Sequence, residues 1–202
     1  MLHTLCMRKF DPRQVPRPHL DEIVRARLEQ GDFDLEIGAG QGLHAIQYCQ
    51  RNPNRTLIAV ERTRVKFNRL SQRQAHHPEL HNLLIVHADA ISLVSHFIPD
   101  ESLNRIILLY PNPYPKARQA NRRWHNSAFM ALLLQRLRRG GDFLFATNLD
   151  WYAEEARAAF EDLWHLRRRA ERRITRVEHA RTHFEKKYLA RGEICFDFEF
   201  EK

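Results

Sequence analysis

The chain of 202 residues has few of the features that mark exported, disulfide-linked or membrane-spanning proteins. Its 3 cysteines are odd in number and have no Cys-x-x-Cys spacing, so the sequence predicts neither a disulfide framework nor a zinc knuckle. No apolar run approaches the roughly 18 residues of a membrane span, and the N-terminus has no secretory hydrophobic region. We therefore expect a cytoplasmic protein with no membrane attachment and no metal site, built as one domain.

Lysine is also scarce, because only 6 of the 33 basic residues are lysines and 27 are arginines. With 25 acidic residues, the formal net charge is +8. The planar guanidinium of arginine can donate two parallel hydrogen bonds to a phosphate, so this balance favours a polyanionic partner. The charge is concentrated, since residues 164–191 contain 10 basic and 3 acidic side chains. The arginine-rich stretch 167–176 is predicted to contact the polyanion, or alternatively to be a solvated helix face.

Short apolar runs alternate with helical patterns from residue 33 onward. The predicted strands are 33–37, 56–60, 83–86, 106–110 and 143–146, and the helical segments between them include 43–50, 124–137 and 151–163. Such alternation is typical of an α/β fold with a parallel sheet and helices on both faces. Residues 193–201 alternate apolar and charged side chains, which predicts an edge strand at the C-terminal end.

The region before the first strand is read as two parts. Residues 20–28 have the apolar spacing of a helix that Gly31 ends. Before that helix, Pro12, Pro16 and Pro18 with neighbouring arginines favour extended chain. We therefore expect a basic N-terminal arm over residues 1–18 and a single domain over residues 19–202.

Only 7 glycines occur in the chain, yet three of them, Gly38, Gly40 and Gly42, lie between the first strand and the next helix. Glycines at this place allow a sharp turn and a close approach of a ligand to free amides at a helix N-terminus. A nucleotide-like ligand is implied. The dinucleotide pattern G-x-G-x-x-G would need glycine at position 43, where Leu43 stands, so hydride transfer is disfavoured.

Acidic residues follow at the ends of the first three strands. Glu36 precedes the glycines, Glu61 ends the second strand, where a carboxylate can accept from ribose hydroxyls, and Asp89 suits an adenine amino group. Together they resemble the motifs of class I S-adenosylmethionine-dependent methyltransferases. The alternative is a glycine turn with two helix-capping acids. The resemblance implies S-adenosyl-L-methionine as cofactor, bound by Glu36, Gly38, Gly40, Gly42, Glu61, Arg62, Asp89, Ala90 and Asn112.

A proline-rich segment follows the fourth predicted strand: Tyr-Pro-Asn-Pro-Tyr-Pro-Lys-Ala-Arg at 110–118, then Asn-Arg-Arg at 121–123. It resembles the P-D-P-W-P-K-x-R-H-x-K-R-R segment of bacterial tRNA (guanine-N7)-methyltransferases. Two later stretches resemble that family's T-D and T-x-[FY]-E segments: Thr147-Asn148, and 182–185 with the sequence Thr-His-Phe-Glu. The match covers residues 34–202.

This resemblance implies a Rossmann-like three-layer sandwich whose seven-stranded sheet is mostly parallel and has an antiparallel C-terminal strand. It also implies tRNA as partner and methylation of guanine at N7, with the protein a monomer or a homodimer. The residues expected to act in catalysis are Asn112, Asn148 and Glu185. Those expected to bind the substrate are Lys116, Arg118, Arg122, Arg123, Asn148, Thr182 and Glu185, where Thr182 and Glu185 hold the guanine and the three arginines contact the tRNA backbone.

The chain departs from the family at two carboxylates, because Asn112 and Asn148 stand where the family has aspartate. Each change removes a negative charge and adds a hydrogen-bond donor. Three readings stay open: retained guanine-N7 activity, an altered base, or lost catalysis. Asn112-Pro113-Tyr114 also resembles the N-P-P-Y loop of amino-methyltransferases, so methylation of an exocyclic amine is one alternative function. A non-catalytic protein that binds cofactor and RNA is the other.

Overall fold

The computed structural model describes residues 9–202. Its strands are β1 (Phe33–Ile37), β2 (Thr56–Glu61), β3 (Leu83–His87), β4 (Leu103–Leu109), β5 (Leu137–Thr147), β6 (Arg167–Ile174) and β7 (Cys195–Glu201). Its helices are α1 (Glu22–Glu29), α2 (Leu43–Arg51), α3 (Arg64–Ala75), α4 (Ala90–Phe97), α5 (Phe129–Arg136), α6 (Asp150–Ala158) and α7 (His183–Leu189). Short 3-10 segments lie at Pro12–Gln14, Ala117–Arg122, Trp124–Asn126 and Val177–His179.

The seven strands form one sheet in the order β3-β2-β1-β4-β5-β7-β6. The pairs among β1 to β5 are parallel, and β7 runs antiparallel to both of its neighbours. β6 therefore runs in the same direction as the first five strands. The expected mostly parallel sheet with one antiparallel C-terminal strand is confirmed, and the parallel strands end at one common edge.

Helices cover both faces of the sheet, as expected. Alternate side chains of β2 enter different cores: Ile58 and Val60 pack with α4, α5 and α6, whereas Leu57 and Ala59 pack with α2 and α3. All five residues of β1 are buried, which is typical of a central parallel strand covered on both faces. The chain is thus a three-layer α/β sandwich.

The prediction of an edge strand at 193–201 is wrong, because β7 is inserted between β5 and β6. The edge strand is β6, formed by the arginine-rich stretch, so the alternative of a solvated helix face is wrong about the helix, although most of the side chains are exposed. Acidic side chains of β7 pair with these arginines: Glu201 contacts Arg169 at 2.6 Å and Glu199 contacts Arg172 at 3.2 Å. Such charged side chains also protect an exposed strand edge from pairing with another chain.

The described part of the predicted N-terminal arm, residues 9–18, lies against the domain. Phe10 packs edge-to-face on Phe129 of α5, with ring centroids 5.2 Å apart. His96 of α4 contacts the carbonyl oxygen of Val15 at 2.8 Å. This segment therefore covers one side of the core instead of projecting from it; residues 1–8 lie outside the described part.

Within residues 9–202, no helix combines the length and apolar character that a bilayer crossing requires. The same residues contain no group of three or more His, Cys, Asp or Glu side chains arranged to hold a metal ion.

Candidate functional site

A cavity of about 780 Å³ opens at the carboxyl ends of the parallel strands. Open α/β sheets place their ligands at this edge, and the volume is within the range of small-molecule sites. The cavity reaches from the glycine loop after β1 to the proline-rich segment after β4, and α7 closes its far side. The predicted cofactor motifs and substrate motifs therefore line one continuous site.

The glycine loop adopts backbone conformations that L side chains rarely adopt. Gly38, Gly40 and Gly42 have φ values of 75°, 61° and 81°. A Cβ atom at Gly42 would lie 2.1 Å from Leu70 Cδ1 of α3, so this glycine permits the close packing of two helices. A Cβ atom at Gly38 would meet nothing within 4 Å. The sequence prediction that the loop approaches a ligand thus fits Gly38 and Gly40, which line the cavity, whereas Gly42 approaches Leu70.

Two buried carboxylates fix the loop. Glu61 accepts hydrogen bonds from the backbone N–H of Gly40 at 2.9 Å and of Thr63 at 2.7 Å. Glu36 accepts from Nδ1 of His44 at 3.0 Å. Both line the cavity, and each carboxylate oxygen has a second lone pair, so each can still accept from a bound ligand.

Asp89 has two contacts at the start of α4. Its Oδ1 caps the helix by accepting from the backbone N–H of Ile91 at 2.9 Å, and its Oδ2 lies 3.4 Å from Arg62 Nη1. Asp89 therefore caps a helix, as the alternative interpretation of the sequence predicted. Asp89, Ala90 and Arg62 nevertheless all line the cavity, so capping and ligand contact are compatible.

Hydrogen bonds from the buried Arg123 hold the proline-rich segment in place. Tyr110 and Tyr114 have φ values of 52° and 44°, unusual for residues other than glycine. Arg123 donates to the carbonyl oxygens of Pro113 at 3.2 Å and Tyr114 at 3.1 Å, and it pairs with Glu155 of α6. The Arg123 side chain, which was predicted to contact the tRNA backbone, is only 9% exposed, and its donors are used by the loop and by Glu155.

The other predicted cations of this segment are exposed. Lys116, Arg118 and Arg122 lie on or beside the 3-10 turn Ala117–Arg122, and Arg122 lines the cavity. Arg118 and Arg122 also border a small adjacent hollow with Gln119. A strip of positive charge therefore runs from the cavity mouth onto the surface.

Thr182 and Glu185 are brought together, but in unequal positions. Thr182 lines the cavity and caps α7 by accepting from the backbone N–H of Glu185 at 3.0 Å. The Glu185 side chain is 0% exposed and lies behind the cavity wall, where it accepts from the Tyr110 hydroxyl at 2.6 Å and Arg181 Nη2 at 2.8 Å. Glu185, which was predicted to hold the guanine, therefore contacts Tyr110 and Arg181 in this conformation and is shielded from the cavity.

Neighbouring charges and hydrogen bonds determine which groups are ionised in the buried cluster of Glu185, Arg181 and Tyr110. Burial alone would raise the pKa of Glu185, but hydrogen bonds from Arg181 and Tyr110 outweigh it and hold the pKa below its usual value. Burial and the adjacent Glu185 raise the pKa of the Tyr110 hydroxyl, so it stays protonated as a donor. Arg181 also contacts Asp197 of β7 at 2.9 Å. The cluster therefore ties the proline-rich segment, α7 and β7 together.

The two asparagines that replace family aspartates have different surroundings. Asn112 is exposed, and its Oδ1 accepts from the backbone N–H of Tyr114 at 3.1 Å, which stabilises the turn. Asn148 follows β5, lines the cavity, and donates from Nδ2 to Glu193 Oε2 at 2.8 Å.

Sequence reasoning missed four residues of the site: Tyr110, Glu155, Arg181 and Glu193. Three of them act through a partner distant in the chain: Tyr110 with Glu185, Glu155 with Arg123, 32 residues away, and Glu193 with Asn148, 45 residues away. Arg181 pairs with Glu185 four residues on, and with Asp197 of β7. No local pattern marks them. Only the position of Tyr110 at the start of the proline-rich segment gave a signal.

Comparisons with known proteins show which family this chain resembles. A family model described as "Putative methyltransferase" matches residues 30–198. The tRNA (guanine-N(7)-)-methyltransferase of Nitrosospira multiformis is 32% identical over 169 residues, which cover 83% of this chain and 73% of that protein. The enzyme of the same name from Myxococcus xanthus is 37% identical over 119 residues, covering 59% of this chain and 57% of that protein.

A solved structure supports the fold. The 16S rRNA methyltransferase KamB superposes with a TM-score of 0.62 over 92% of this chain and 96% of its own, at 16% identity. At this identity the likeness concerns the fold only.

Proposed function

Because the chain belongs to the tRNA (guanine-N7)-methyltransferase family, we propose that it methylates a guanine of tRNA at N7, with S-adenosyl-L-methionine as methyl donor. The observation that carries this proposal is the match to a relative of that name over 83% of the chain. The cavity that joins the glycine loop to the proline-rich segment supports it, because donor and base must meet in one site.

The residues around the glycine loop fit the proposed cofactor. Gly38 and Gly40 offer backbone that a ligand can approach, and Glu61 can accept from vicinal ribose hydroxyls with its remaining lone pairs. Glu36 suits the amino-acid part of the cofactor, and Asp89 with Arg62 and Ala90 suits the adenine end. When bound, S-adenosylmethionine supplies an electrophilic methyl group on a sulfonium.

The chemistry needs positioning more than proton transfer. Guanine N7 has an in-plane lone pair, so the protein must align it with the methyl group and stabilise the positive charge that develops on the purine. Thr182 and Asn148 line the cavity and can accept hydrogen bonds from the base. Glu185 holds α7 in place behind them, and we propose this positioning role for it in place of direct base contact.

Binding of tRNA is assigned to Lys116, Arg118 and Arg122, whose side chains are exposed beside the cavity. A structured tRNA is a polyanion, and cations at the cavity mouth would hold its backbone while the target base enters. Arg123, which is buried, holds the loop that carries these cations by donating hydrogen bonds to the carbonyl oxygens of Pro113 and Tyr114. We also place the protein in the cytoplasm, where tRNA is modified in bacteria.

Methylation of an exocyclic amine is less well supported. That reaction would use Asn112 as an acceptor for the amine, but Asn112 Oδ1 already accepts from the backbone N–H of Tyr114. Tyr114 itself occupies the place where the amino-methyltransferase loop has its second proline.

The test is nucleoside analysis of unmodified tRNA transcripts incubated with the protein and methyl-labelled S-adenosylmethionine. We expect the label in N7-methylguanosine. Label in a methylated amine would instead support the amino-methyltransferase reading. A protein that binds the cofactor and tRNA but transfers no label would support the non-catalytic one.

A further inference from the structure

A carboxylate lies beside the asparagine that follows β5. Glu193 Oε2 accepts from Asn148 Nδ2 at 2.8 Å, and the backbone N–H of Glu193 donates to the carbonyl oxygen of Tyr188 at 3.1 Å. The second contact anchors Glu193 at the C-terminal end of α7. The pair therefore joins the edge of the sheet to the helix that closes the cavity.

The carboxylate determines which way the Asn148 amide faces. An ionised carboxylate only accepts hydrogen bonds, so the NH₂ group of Asn148 must face Glu193. The amide oxygen then faces away from Glu193, and no hydrogen bond within residues 9–202 occupies it. Because Asn148 lines the cavity, this oxygen is available to a bound base. A neutral acceptor, polarised by a carboxylate behind it, is thus presented to the site.

The negative charge of Glu193 reaches the same wall of the cavity. Burial raises the pKa of Tyr188, the negative charge of Glu193 raises it further, and the charge of Arg191 lowers it. The Tyr188 side chain lines the cavity with Thr182 and Phe184. Glu193 is half-buried and has no salt bridge to a cation within the described residues. Its charge is therefore not neutralised by a direct partner.

We propose that Glu193 is a positioning residue for the base. It orients the Asn148 amide and, from behind Asn148 as seen from the cavity, supplies the negative charge that the asparagine lacks. The inference rests on the proposed function. The Asn148–Glu193 pair would then accept from the Watson–Crick edge of the guanine and stabilise the positive charge that methylation places on the purine.

Three variants at positions 148 and 193 distinguish the effect of the Glu193 charge from that of its hydrogen bond to Asn148. Glu193→Gln keeps the side-chain length and an oxygen that can accept from Asn148, so a purely structural role would survive it. If charge is needed, its single-turnover methylation rate on unmodified tRNA transcript falls about tenfold, with unchanged affinity for S-adenosylmethionine. The swap Asn148→Asp with Glu193→Gln moves the charge across the pair and preserves the hydrogen bond, and we expect it to restore most of the rate.

Asn148→Asp alone would place two carboxylates at hydrogen-bond distance, where they repel unless one takes up a proton. We therefore expect the single substitution to give no gain in rate at neutral pH. The matched control is Glu79→Gln, which removes the same charge from an exposed residue before β3, at the opposite edge of the sheet. It should keep the natural rate.

A binding measurement keeps the inference separate from the proposed function. In the presence of S-adenosylhomocysteine, at mildly acidic pH, the natural protein should bind 7-methylguanosine monophosphate, a cationic base, more tightly than guanosine monophosphate. Glu193→Gln should lose this preference and the swap variant should regain it, whether or not tRNA is methylated. The same rate and the same nucleotide preference in the natural protein and Glu193→Gln would overturn the inference. Absence of N7-methylguanosine from tRNA, with the preference intact, would overturn the proposed function alone.

Discussion

At the scale of single residues, the neighbouring arginines at 122 and 123 have opposite environments. Arg122 is exposed at the cavity mouth, whereas Arg123 is buried against the carbonyl oxygens of Pro113 and Tyr114 and over the ring of Trp151 at 4.9 Å. Arg122→Ala should lower the slope of log affinity for tRNA against log salt by somewhat under one, because about 0.7 to 0.9 counterions are released per phosphate contact. Salt titrations of binding measure this slope.

Arg123→Ala should act on stability instead. It removes several hydrogen bonds around a buried guanidinium, and we expect a loss of about 2 kcal/mol in the free energy of unfolding. Equal effects of the two substitutions on the salt slope, with no difference in stability, would contradict the assignment of one arginine to RNA and the other to the loop.

The glycine loop offers a second pair of residues for comparison. Gly38 and Gly42 both have positive φ, but an added Cβ is unobstructed at Gly38 and meets Leu70 Cδ1 at 2.1 Å at Gly42. Alanine at either position should therefore be strained, and Gly42→Ala should be less stable than Gly38→Ala by about 1 to 3 kcal/mol because of the clash. Chemical denaturation of both variants checks this. Equal stabilities would mean that α2 and α3 can move apart freely.

At the scale of elements, α7 is fixed by the buried cluster of Glu185, Arg181 and Tyr110. The lowered pKa of Glu185 means that its ionised form favours the folded state. This stability is complete above the carboxyl's unfolded pKa, about 4.3, and is lost as the pH falls through the lower folded value. Glu185→Gln should thus be less stable than the natural protein by about 2 kcal/mol at neutral pH, and the difference should shrink in acid.

The measurement is the free energy of unfolding of both proteins as a function of pH. Glu178→Gln is a suitable control, because Glu178 is exposed in the turn before α7. A difference between natural protein and Glu185→Gln that stays constant from neutral pH into acid would show that the carboxylate is not ionised in the cluster.

β6 allows a test of which arginines face RNA. Arg167 and Arg169 pair with Glu201, which lies at the edge of the sheet opposite the cavity. Their double replacement by glutamine should leave the salt slope of tRNA binding unchanged. The same double replacement of Arg118 and Arg122 should lower it by about 1.5, since both remove two charges but only the second pair lies beside the site. A drop for the β6 pair would assign RNA contact to that strand after all.

Prediction from sequence succeeded for elements with a local signature. The predicted strand 33–37 has the same bounds as β1, a central strand whose five residues are all buried. The helix predicted at 124–137 is instead a 3-10 turn, Trp124–Asn126, followed by α5, since Ser127 is extended at ψ 135° and interrupts it. β6 was missed as a strand because its side chains are mainly arginines, which no apolar alternation marks. It forms by pairing with β7, whose acids match it.

The same distinction applies to the site. The predicted cofactor residues follow strand ends in a fixed order, and Gly38, Gly40, Glu61 and Asp89 all line the cavity, whereas Gly42 packs against Leu70. The sequence did not indicate that Arg123 and Glu185 are buried, because long-range partners decide whether a charged side chain faces the cavity or the protein interior. The sequence likewise does not indicate that Glu193 accepts a hydrogen bond from Asn148.

At the scale of the whole molecule, the central claim is that the protein transfers the methyl group of S-adenosylmethionine to N7 of a guanine. A tRNA transcript in which 7-deazaguanosine replaces guanosine lacks N7 but retains the Watson–Crick edge and the exocyclic amine. Methyl transfer from labelled S-adenosylmethionine should therefore occur on the normal transcript and be absent from the 7-deaza transcript, which should still compete for binding. Equal labelling of the two transcripts would contradict the account, because the methyl group would then be carried by an atom other than N7.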